Sequence, residues 1–132
     1  MKSTALALPL ALSLAACAHA PAAPEPTWQD KLAASGWAPG AEVDTVPNFS
    51  IRNFDALDAS HLVVHLGTTR RVLVTTGPGC VGLDTVLRIA YQGDGMTLSR
   101  LDLLRVFPRG QLPTSCRVEA LQLLLPPARP AG

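Results

Sequence analysis

Residues 72–91 read VLVTTGPGCVGLDTVLRIAY, and the fold class turns on them. Gly77, Gly79 and Gly82 stand at the spacing G-x-G-x-x-G, after a β-branched run and before an apolar one. The apolar run fits two periodicities equally. Val86, Ile89 and Ala90 share a helical face, whereas Leu87, Ile89 and Tyr91 share a strand face. In a dinucleotide turn the glycines open a helix whose N-terminus meets pyrophosphate, inside a parallel βαβ unit with an acidic residue ending its second strand. Here the run after Gly82 stops before Gly93, shorter than a crossover helix requires. The acidic candidates are Asp94, in a turn, and Asp102, in mid-strand. No second βαβ pattern follows, so the stretch implies no nucleotide cofactor and reads as a strand followed by a glycine-rich turn around Cys80.

Working outward, the chain around this turn alternates with period two. His61–Leu66 places Leu62, Val64 and Leu66 on one face. Gly67-Thr68-Thr69 is a tight connection, and Arg70–Thr76 alternates again around Val72 and Val74, which predicts a hairpin. Phe49–Arg52 reads as a short strand, and Asp55–Asp58 as a turn or a single helical turn. Gly93-Asp94-Gly95 reads as a turn, Met96–Val106 as a long strand, 108–114 as a loop and Cys116–Leu125 as a final strand. The expected fold class is mainly β: a small antiparallel sheet or partly open barrel of five to six strands over residues 47–125, with one short N-terminal helix and one disulfide.

Residues 1–46 follow other rules. Met1-Lys2 is a basic start, and 5–16, ALALPLALSLAA, is an apolar stretch of signal-peptide length, too short to span a bilayer. It ends in Leu14-Ala15-Ala16-Cys17, which resembles the bacterial lipobox. That resemblance implies a lipoprotein signal peptide over 1–16, cleavage before Cys17, and diacylglycerol and a further acyl chain such as palmitate on Cys17. Two chains convert marginal membrane binding into stable anchoring. Ala18, in place of an aspartate, implies release to the outer membrane, with the protein on its periplasmic face. Residues 17–26 form an Ala/Pro-rich lipidated tether. Thr27 is placed to cap a short helix, TWQDKLAASG, with Trp28 and Leu32 one turn apart and Gly36 as its stop. An irregular arm continues to residue 46, and residues 126–132 form a disordered tail.

Eleven basic residues less Lys2 leave ten against ten acidic ones, so the processed chain is near neutral. It carries no basic run, which argues against nucleic acid as a partner. The aromatic residues Trp28, Trp37, Phe49, Phe54, Tyr91 and Phe107 are too scattered for a stacking platform. With Cys17 committed to lipid, Cys80 and Cys116 remain, and in an oxidising compartment an even pair predicts a disulfide. Two free thiols in a redox or metal site would have no C-x-x-C spacing behind them.

The order FSIRNFDALDASHLVVHLG, RRVLVTTGPGC, LDTVLRIAY, LSRLDLLRV and CRVEALQLL resembles a group of small bacterial lipoproteins and secreted proteins known only as a domain of unknown function. Phe54, Leu57, Asp58, Cys80 and Cys116 carry the likeness, with Phe54 where tryptophan is more usual. The resemblance implies the β fold and the disulfide. It implies no activity.

Candidate chemistry is sparse. His61 and His65 lie about 13 Å apart if they share a strand face, too far for one metal ion. Cys80 with either histidine would make a nucleophile only if Cys116 left its sulfur free. Asp55 and Asp58 flank a turn and suit amide capping, and Asp102 suits a cross-strand arginine. The sequence thus predicts no catalytic, cofactor-binding or metal-binding residue. It predicts a membrane-anchored, non-enzymatic binding or envelope-support domain, with an envelope protein as its partner. The alternatives are a small-ligand barrel lined by Leu62, Val64, Val72, Val74 and Ile89, and an exported hydrolase or thiol-redox enzyme.

Overall fold

A computed structural model describes residues 23–47, 50–92 and 96–128. The expectations for the signal peptide, for Cys17, for the Gly93–Gly95 turn and for residues 129–132 lie outside these residues. Residues 23–26 are exposed and lead without regular structure into helix α1 (Trp28–Ala34). Nine strands follow among the described residues: β1 (Ala38–Val43), β2 (Thr45–Pro47), β3 (Asn53–Ala56), β4 (His61–Leu66), β5 (Arg70–Thr76), β6 (Val86–Gln92), β7 (Thr97–Ser99), β8 (Leu103–Pro108) and β9 (Thr114–Leu125).

The main sheet runs β3-β4-β5-β9-β8-β6, every pair antiparallel, and curls into a nearly closed barrel. The β4–β5 hairpin has the predicted pairing, from His61 opposite Thr75 to Leu66 opposite Arg70. Strand β9 is the spine. Residues 118–123 pair with β5 along one edge, while along the other edge 114–117 pair with β8 and 121–125 with β1. The two ends of the sheet approach where a single 3-10 turn, Leu83–Thr85, lies against β3. The small β2–β7 ribbon adds Val46 and Leu98, both fully buried.

Four local expectations are corrected and one open reading, at residues 83–91, is resolved. Residues 37–46 are not an irregular arm: β1 and β2 occupy most of them, with Pro39 and Pro47 on edge strands, where a missing N–H costs no ladder bond. The strand expected at Phe49–Arg52 lies at Asn53–Ala56 instead. Phe54 and Ala56 pack against the core there, so Asp55 and Ala56 are strand and only Leu57–Ser60 turn. Residues 83–91 combine the 3-10 turn with β6. The long strand expected over Met96–Val106 breaks at Arg100-Leu101. Leu101 stands in the left-handed region at φ +77°, its N–H donating to the Val118 carbonyl at 2.7 Å. Finally, β9 starts two residues earlier than expected, at Thr114.

Leu62, Val64, Val72, Val74 and Ile89 do face the barrel interior. They interlock with Leu83, Leu98, Leu104, Val106, Val118 and Leu121 in one buried cluster, so side chains fill the barrel as in other small closed sheets.

Candidate functional site

The outer face of the hairpin carries the richest chemistry. Alternation turns Val63 of β4 and Leu73 of β5 away from the barrel, where they would be wet apolar residues without a cover. Helix α1 supplies the cover. Leu32, Trp37, Leu57, Val63, Leu73 and Leu124 form a second buried cluster, with Trp28 against it. The helix is seven residues long and would be marginal alone, so its capping matters. The Thr27 hydroxyl accepts from the Asp30 N–H at 3.2 Å, and the Asp30 carboxylate accepts from the Thr27 N–H at 3.0 Å. Lys31 Nζ then donates to the Leu57 carbonyl at 2.7 Å, tying the helix to the β3–β4 turn.

Trp28 stacks on His61, with centroids 4.3 Å apart. Below the stack, His61 Nδ1 donates to Asp58 Oδ1 at 2.8 Å, and the Ser60 N–H donates to the same oxygen at 2.8 Å. Burial pushes the Asp58 carboxyl upward. The Ser60 amide, together with the hydrogen bond and charge of His61, outweighs that and holds it below the usual carboxylate range. His65 makes a separate pair, Nε2 donating to Asp55 Oδ2 at 2.7 Å. The two histidines therefore share a face as expected, but each is held by its own aspartate. Among the described residues no three His, Cys, Asp or Glu side chains are grouped to hold a metal ion.

Beside the stack, α1 and β1 leave an apolar groove of about 370 Å³, lined by Trp28, Leu32, Gly36, Trp37 and Pro39. The Arg71 guanidinium lies over the Trp37 ring, 4.5 Å from its centroid. Trp37 and Pro39 fall in the expected irregular arm, so periodicity carried no sign of this groove. The Trp28–Leu32 spacing marked one wall of it.

Cys80, in the turn after β5, and Cys116, in β9, stand with their sulfurs at disulfide distance and their Cα atoms 5.1 Å apart. Both are buried in the main core. The glycine motif thus serves a turn. Gly79 and Gly82 take φ +88° and +86°, and Gly82 opens a 3-10 turn followed by a strand, where a dinucleotide turn would need a full helix. Among the described residues, Asp102 has no arginine within ion-pair distance. Its carboxylate accepts from the Ser99 N–H at 2.7 Å, closing the turn that splits β7 from β8.

A family model described as a family of unknown function, DUF6491, matches residues 1–128. The chain belongs to that family. The match takes in α1, the groove and both disulfide cysteines, a wider span than the 47–125 region in which the sequence resemblance lies. Searches of curated proteins and of solved structures returned no match.

Proposed function

We propose that this DUF6491 protein is an exported lipoprotein, anchored through acylated Cys17 to the outer membrane and facing the periplasm, whose β domain is a non-enzymatic binding module. One observation supports the binding role above others. The barrel interior is filled, and the apolar groove between α1 and β1 lies outside it, on the helix that directly follows the tether. A ligand or partner held there stays next to the membrane. The occupant that suits the groove is an apolar segment of an envelope protein, seated between Trp28 and Trp37 with its backbone free to bond at the rim.

The volume of the groove also favours a second reading, a small apolar ligand bound outside the barrel. Two measurements test the proposal. Metabolic labelling with palmitate is expected to mark the wild-type chain and to leave Cys17→Ser unlabelled; label that persists in that variant refutes the anchor. A photo-crosslinker at Gln29, on the groove wall, is expected to capture an envelope protein from the wild type and to lose it with Trp37→Ala. A small molecule in place of a protein adduct selects the second reading.

A further inference from the structure

Strand register assembles a cationic row that the chain order hides. Arg88 of β6 lies opposite Phe107 of β8, Arg105 of β8 opposite Ala90, and Arg117 of β9 opposite Leu103. Residues two apart share a face, so Arg88, Arg105 and Arg117 step diagonally across three adjacent strands on the outer side of the barrel, with Phe107 and Leu103 between them. All three arginines are exposed. The guanidiniums of Arg88 and Arg105 stand 4.1 and 5.7 Å from the Phe107 ring centroid. Among the described residues, none of the three has a carboxylate within ion-pair distance; the one Arg–carboxylate pair is Arg100 with Asp44. Glu119, two residues beyond Arg117 on the same face of β9, is the acidic group of this surface, and its side chain lies against Gly77.

Strand β6 and the loop between β8 and β9 also hold apolar side chains in water. Leu112, in the loop joining β8 to β9, is 88% exposed, and Leu87, at the bulge in β6, is 59% exposed. A folded domain gains nothing by wetting these leucines. Cations that no carboxylate neutralises, set beside apolar tips, match a surface that offers phosphates above hydrocarbon.

We propose that the outer face of β6-β8-β9 docks on anionic lipid headgroups. Arg88, Arg105 and Arg117 take the phosphates, and Leu112 and Leu87 enter the headgroup layer. Nucleic acid or a soluble polyanion would use the arginines and leave the leucines in water. This surface does not depend on acylation of Cys17, so it can be tested apart from the anchor.

The full chain carrying Cys17→Ser is mixed with vesicles of phosphatidylcholine alone, or of phosphatidylcholine with phosphatidylglycerol, and co-sedimentation is measured. The apolar leader binds both kinds of vesicle, so the readout is the preference for the anionic ones. That preference is expected to fall about fivefold for each of Arg88→Ser, Arg105→Ser and Arg117→Ser. It should vanish at high salt, survive Arg105→Lys and weaken in Leu112→Ser. An unchanged melting temperature in each single variant confirms that the fold is intact. Equal binding to both vesicle types, or a preference indifferent to the arginines, overturns the proposal. So does binding to heparin or duplex DNA without binding to anionic vesicles.

Discussion

Trp28 lies nearly parallel to His61, its ring plane 16° from the imidazole and the centroids 4.3 Å apart. This contact clamps a helix too short to persist alone onto the outer face of β4. Trp28→Leu removes the stack while keeping apolar bulk, and should destabilise the protein by about 1 kcal/mol. The damage should be local. Hydrogen exchange is expected to speed up at the α1 amides and to stay slow in β4, β5 and β9; uniform acceleration would contradict the clamp. Trp28→Phe should restore most of the protection.

The Asp58 site makes stability depend on acid pH. Its folded-state carboxyl sits below the ordinary value of 3.8, so the unfolded chain takes up the proton first as pH falls. The contribution is therefore fully present above that ordinary value and drains away below it, through the lower folded-state value. Urea unfolding midpoints measured from neutral pH downward should show this loss in the wild type. Asp58→Asn should be less stable at neutral pH, with a shallower fall on the acid side. Parallel curves for the two proteins would remove Asp58 from the account.

Cys80 and Cys116 are 36 residues apart in sequence, so their bond closes a long loop of the unfolded chain. Loop-entropy arguments give a stabilisation of about 3–4 kcal/mol. Reduction, or the paired change Cys80→Ala with Cys116→Ala, should lower the denaturant midpoint accordingly. A midpoint indifferent to reductant would show that the two sulfurs contribute only packing.

Two glycines of the same turn should respond differently to alanine. Both have positive φ, which costs an L-residue about 1 kcal/mol. A Cβ on Gly79 would meet open space, whereas one on Gly82 would stand 2.5 Å from the Pro108 Cβ. Gly79→Ala should therefore cost about 1 kcal/mol, and Gly82→Ala clearly more, because Pro108 cannot swing aside. Equal melting temperatures for the two variants would disprove the steric difference.

The legible parts of the fold were those governed by local alternation. The β4–β5 hairpin showed in Leu62, Val64, Val72 and Val74, and helix α1 in the Thr27 cap and the Trp28–Leu32 spacing. The cysteine pair was legible from count alone. What stayed hidden depends on partners remote in sequence. Strand β1 has three turn-forming or small residues, Ala38, Pro39 and Gly40, and is a strand because β9 offers it an edge; Gly40 lies so close to β9 that a Cβ would stand 2.6 Å from the Leu123 carbonyl oxygen. The break at Leu101 had no sequence signal, since a leucine with positive φ gives no warning of a turn. The arginine row was invisible for the same reason as β1: its members are 17 and 12 positions apart and meet only through pairing register.

Strand β9 is the last of the nine to leave the ribosome, yet β1, β5 and β8 all need it as a neighbour. A nascent chain that has emerged only as far as residue 113 holds the β4–β5 hairpin but cannot close the barrel or seat Leu124 beneath α1. Closure of the barrel therefore waits for β9, and until that strand is free the hairpin stands as a half-built sheet with its β5 edge unpaired.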